Sequence, residues 1–153
     1  MESTSGILAR HYGALDCAVQ VGLASQRVVS VSFPRSPPGD AVGDHPLLDR
    51  IGAYLDGDPT DFADVDVALT VPTDQREVIE AVRSVPYGES VTVETLAGMT
   101  PGRSRDSQDD LAAVRDALAA NPVPLLIPDY RVEDGPGAAP AGVERRLRDV
   151  EGL

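Results

Sequence analysis

Lysine is absent from this 153-residue chain, tryptophan is absent, and there is one cysteine, Cys17. A lone cysteine excludes an internal disulfide. With only His11 and His45 beside it, no structural zinc cluster is expected. No apolar run approaches the roughly 18 residues of a membrane-spanning helix, and the start MESTSGILAR lacks the apolar core of a signal peptide. A cytoplasmic chain without membrane attachment is therefore expected. All 13 cations are arginine against 25 acidic residues, for a formal charge of -12. Such a bias resembles the halophilic proteins of salt-loving archaea, where surface carboxylates hold water in concentrated salt. It speaks of solvent more than of partners.

Two periodicities divide what is there. Leu15, Cys17, Val19, Val21 and Leu23 alternate, and the alternation resumes at Val29, Val31 and Phe33, predicting a hairpin. The stretch SFPRSPPGDAVGDHP is a loop, with His45 near a helix start, and His11 is expected in a mobile N-terminus. Leu47, Leu48, Ile51, Tyr54 and Leu55 then fall at helical spacing before Gly57. Residues 64–71 alternate again through Val65, Val67, Leu69 and Val71, predicting another strand. Residues 1–70 thus read as a small antiparallel sheet domain with one helix.

Residues 71–153 are helical. Asp74 and Glu77 suggest a capping box before Val78, Ile79, Val82 and Val85. Thr92 caps a short helix with Val93, Leu96 and Ala97. A third helix starts at Asp109 and Asp110, carries Leu111, Val114 and Leu118, and stops at Asn121-Pro122. Val143, Leu147 and Val150 suggest a last helix. Helix, turn, short helix, loop, helix is the plan of a winged helix-turn-helix domain, so the fold class is α+β.

The segments VSVSFP, HPLLDRIGAYLDGD, LTVPTDQREVIEAVRSVPYGESVTVETLAG and ANPVPLLIPDYRV together resemble the alkylguanine-DNA alkyltransferase family. These are methylated-DNA-protein-cysteine methyltransferases, suicide repair proteins that move an alkyl group from guanine oxygen to a cysteine. The resemblance implies double-stranded DNA with alkylated guanine as partner, a repair-pathway protein beyond it, a monomer, and no cofactor. Family members read Asn-Pro, a short apolar run, then Pro-Cys-His-Arg-Val. Here Asn121-Pro122 leads to Pro128, Asp129, Tyr130, Arg131 and Val132.

A thiolate is a strong nucleophile towards an alkyl carbon, and the family activates it through histidine and glutamate. Asp129 and Tyr130 stand in the cysteine and histidine positions. Glu151 lies near the glutamate position, where without a histidine to orient it a surface role is expected. The family arginine that holds a flipped nucleotide's place aligns with Ala112, and Arg115, a turn on, is an imperfect substitute. The tyrosine that helps rotate the nucleotide aligns with Val93, and a loop tyrosine with Ala139. Arg131 and Asn121 are expected to brace the motif, Asn121 also capping the preceding helix. Gly88 supplies positive φ in a turn that Tyr87 packs. Cys17 is expected to be an inert buried thiol. Arg145, Arg146 and Arg148 form a basic cluster expected to pair with carboxylates.

Three readings stay open. One is a lesion binder like the alkyltransferase-like proteins, without transfer. Another is a degenerate scaffold for protein contacts that binds no DNA. The third has Asp129 itself attack the alkyl carbon to form an ester.

Overall fold

The computed structural model describes residues 6–60 and 62–153; the opening residues read for a signal peptide lie partly outside that range. Strands β1 (Gly6–Tyr12), β2 (Cys17–Ala24) and β3 (Arg27–Ser32) form one antiparallel sheet in chain order. Strand β1, with His11 paired to Ala18, occupies the segment expected to be mobile. Its pattern is faint because Arg10 and His11 interrupt the apolar residues, while Leu8, Ala9 and Tyr12 are buried. Ser25 and Gln26 both have positive φ, the backbone a two-residue hairpin turn needs.

A bulge at Gly22 and Leu23 shifts the register, pairing Leu23 with Val28. Val28 and Val31 are consequently the buried residues of β3, correcting the expected Val29, Val31, Phe33 face. Residues 64–71 do not form a strand. Val28 donates its amide to Asp66 and accepts that of Ala68, both at 2.9 Å, leaving a single parallel bridge at Val67.

Among the described residues five α-helices follow. Helix α1 (Pro46–Leu55) begins with Pro46 after His45, whose Nδ1 accepts the Leu47 amide at 3.1 Å, so His45 is its cap. Helix α2 (Thr73–Arg83) starts without a side-chain cap at Pro72. Asp74 therefore lies inside the first turn, where its carboxylate still favours the helix dipole, rather than capping it. Helix α3 (Val93–Met99) is capped by Thr92 as expected. In α4 (Gln108–Ala119) the cap is Ser107, two residues ahead of the Asp109-Asp110 start read from sequence. Asp110 instead accepts the Ser104 amide and the Arg103 guanidinium. Helix α5 (Ala141–Glu151) ends at Gly152, φ 76°. No helix among the described residues is long and apolar enough to cross a membrane.

One cluster of buried side chains runs from Val19 and Val21 of the sheet through Ile51 and Tyr54 of α1 to Val82, Leu96, Val114, Leu118 and Leu147. The segment 120–132 crosses it and is buried at almost every position, which holds the Asp129–Arg131 turn rigidly in the interior.

Candidate functional site

Pro122 and Pro124 keep the chain after α4 out of helix. Leu125 takes φ 81°, a conformation rare for a bulky side chain. The Asn121 side chain organises this turn: Oδ1 accepts the Val123 amide, and Nδ2 donates to the Ile127 carbonyl and to Asp129 Oδ2, each at 3.1 Å. Helix α4 itself ends at Ala119 with Ala120 as its cap, so Asn121 braces the motif without its side chain capping the helix. Asp129, Tyr130 and Arg131 follow in a single 3-10 turn.

Asp129 is fully buried. Its Oδ2 also accepts the Ala138 amide at 2.9 Å, whereas Oδ1 is buried with no hydrogen bond of ordinary geometry among the described residues. Burial pushes its pKa up to about 6. The Ala138 and Asn121 hydrogen bonds oppose that rise, and the nearby Glu144 carboxylate adds to it.

Tyr130, buried equally deeply, turns away from this chemistry. Its hydroxyl lies 2.6 Å from that of Tyr54 on α1 and donates to Glu151 Oε2 at 2.9 Å; Tyr54 donates to the same oxygen. Two phenol protons serve three oxygen contacts. Burial raises both phenols far above the ordinary tyrosine value, so they stay protonated. Tyr130 is therefore a donor and not a base at any ordinary pH.

Glu151 is at the centre of this arrangement, which corrects the expected surface role. Arg131 Nε donates to Oε1 at 2.9 Å and Nη2 to Oε2 at 3.0 Å, while Nη1 donates to the Val85 carbonyl at 2.7 Å. The Gly88 amide donates to Oε1 at 2.9 Å, from a turn with φ 77°. Burial works against the charged carboxylate, but the Arg131 and Gly88 hydrogen bonds outweigh it and hold its pKa below the usual range. Arg131 also faces the rings of Tyr87 and Tyr130. The sequence reading missed Tyr54: its helical spacing marks it as core, and nothing in that spacing reveals a partner at Tyr130.

The remaining residues are dispersed. Ala112 and Arg115 are both exposed on α4, and Arg115 has no hydrogen bond or ion pair among the described residues. Val93 is wholly buried at the start of α3, and Ala139 is buried beside the turn. Cys17 is half-buried rather than fully so. It lines a hollow of about 490 Å³ with Phe33, Arg35, Val143 and Arg146, a hollow that Asp129 does not line. Of the basic cluster, Arg148 pairs with Glu144 at 3.0 Å and Arg146 donates to the Ala14 carbonyl.

Residues 73–148 match the DNA-binding domain of 6-O-methylguanine DNA methyltransferase. A methylated-DNA-protein-cysteine methyltransferase of Methanopyrus kandleri is 38% identical over 112 residues, 71% of this chain and 80% of that protein. A Thermus thermophilus protein named DNA base-flipping protein is 31% identical over 114 residues, 72% of this chain and 71% of that protein. Mycobacterium tuberculosis OGT, solved in complex with DNA, shares the fold with a TM-score of 0.69 at 20% identity, covering 96% of this chain and 91% of that one.

Proposed function

Because the chain belongs to the methylated-DNA-protein-cysteine methyltransferase family, we propose that it is a DNA-binding repair protein that recognises alkylated guanine without accepting the alkyl group. The observation that carries this reading is the exchange of a Cys-His pair for Asp129 and Tyr130 in an otherwise retained Pro-x-x-Arg-Val frame. The Tyr130 hydroxyl is committed to Glu151 and Glu151 to Arg131, and the nearby Glu144 carboxylate is paired with Arg148, so each group that could serve Asp129 as a base is already engaged. An ester on Asp129 would lack the general base its hydrolysis needs. The Thermus relative's name, DNA base-flipping protein, and the DNA-bound Mycobacterium neighbour support base recognition as the retained part. DNA contact falls to residues 71–153, with residues 1–70 as a companion domain.

Asp129 then acts as a reader of the base. A guanine alkylated at oxygen has lost its ring proton and presents an acceptor, which a protonated acid satisfies and a carboxylate repels. With the Asp129 pKa near 6, preference for the lesion over guanine is strongest in mild acid and fades as pH rises through that value.

The test is retention of plain and O-methylguanine duplexes in molar potassium chloride, where the Debye length is about 3 Å and the chain's net acidity is screened. Selective retention of the alkylated duplex is the expected result. Retention of neither favours the scaffold reading, to which Ala112 and the acidic first turn of α4 lend support.

A further inference from the structure

We infer that residues 133–138 form a latched cover over Asp129, fastened to α3 through Asp134 and to the turn through Ala138, and that a ligand reaches the Asp129 carboxyl only when this cover lifts. The cover is independent of what binds; its effect on DNA rests on the reading proposed above.

The latch has two fastenings. Asp134 Oδ1 accepts the amide of Val93, the first residue of α3, at 2.7 Å. The Ala138 amide donates to Asp129 Oδ2 at 2.9 Å. Before the first, the Glu133 amide bonds to the Val91 carbonyl at 2.9 Å, so the segment leaves the interior already aligned. Between the fastenings Gly135 lies against the core. A Cβ there would stand 2.8 Å from Leu118 Cδ1, 3.1 Å from Val132 Cγ1 and 3.2 Å from Val93 Cγ2, all wholly buried side chains. Only glycine lets the backbone lie this close.

Two features mark the cover as an occupant that can be replaced. Asp129 Oδ1 is a buried acceptor with no hydrogen bond of ordinary geometry among the described residues, which the closed state tolerates at a cost. The segment buries no residue fully: Glu133, Asp134 and Pro136 are exposed, and Gly135, Gly137 and Ala138 are half-buried. Lifting it frees Asp129 Oδ2 from the Ala138 amide and withdraws Gly135 from Val93, Leu118 and Val132.

The experiment is amide hydrogen exchange on the full chain without DNA, comparing wild type, Asp134→Ala and Gly135→Ala. Either variant is expected to speed exchange of the Ala138 amide by about fivefold or more, while Val114 and Leu118 keep their protection. Acceleration confined to the cover supports the inference even where a variant lowers overall stability. Unchanged Ala138 exchange in both variants overturns it, as does wild-type Ala138 exchange no faster than that of α4. If the duplex reading holds, the same variants bind the O-methylguanine duplex more tightly by a similar factor, since less opening must be supplied by the ligand. Faster exchange with no binding to any duplex retires the DNA reading and leaves the cover standing.

Discussion

Tyr130 donates its hydroxyl to Glu151 Oε2 at 2.9 Å, in the position where the resemblance puts a histidine-glutamate pair. The pairing is kept with a phenol in place of the imidazole. An imidazole has one nitrogen for the glutamate and another for a nucleophile; a phenol has one oxygen, and here it is spent on Glu151 and Tyr54. The arrangement holds α1, α5 and the 3-10 turn together without moving a proton towards Asp129.

Glu151→Gln is expected to destabilise the fold by about 3 kcal/mol, because the buried Arg131 guanidinium would lose the carboxylate it pairs with. Tyr54→Phe, which removes one hydroxyl and leaves Tyr130 and Arg131 bound to Glu151, is expected to cost about 1 kcal/mol. Urea unfolding of both variants checks the order; equal losses would mean that the ion pair contributes nothing beyond a neutral hydrogen bond.

Asp129 contributes to stability with an unusual sign for a carboxyl group. Its pKa is raised from 3.8 to about 6 by burial, so the folded state holds its proton more tightly than the unfolded state. The stabilisation is complete below about pH 4 and is lost as pH rises through 6, by about 2–3 kcal/mol in all. Asp129→Asn lacks this titration. Its stability relative to wild type should climb between pH 4 and pH 7 in denaturant melts, and a flat difference would show that Asp129 titrates normally.

Arg115 is the exposed cation of α4, one turn beyond Ala112. Arg115→Ala is expected to weaken binding of plain and alkylated duplexes alike and to reduce the salt slope of log K by about 1. Fluorescence titrations across a range of potassium chloride concentrations measure both quantities. An unchanged slope would place α4 away from the phosphates.

Incubation with an O-methylguanine duplex is expected to leave the mass of the intact chain unchanged, in wild type and in Cys17→Ser. Cys17 does not share a cavity with Asp129, and burial pushes its thiol pKa up, away from the reactive thiolate. One added methyl group mapping to Asp129 would establish the ester reading; mapping to Cys17, it would move the chemistry to the hollow beside α5.

The sequence by itself determined the helices, because apolar residues at spacings of three and four specify which face is buried wherever the helix packs. It also determined that no cysteine follows Pro128, a statement of composition that folding cannot alter. Short-range signals carried less: α2 starts at Thr73 rather than from an Asp74 cap, and residues 64–71 alternate without pairing into a strand, because an edge position needs a neighbour that sequence does not name. Tertiary structure alone decided that Glu151 is buried, that Tyr54 meets Tyr130 across 76 residues, and that the Ala138 amide meets the Asp129 carboxyl. Those outcomes depend on which distant side chains come to share one low-dielectric interior, where an ion pair, a phenol or an unpaired oxygen acquires an energy it does not have in the extended chain.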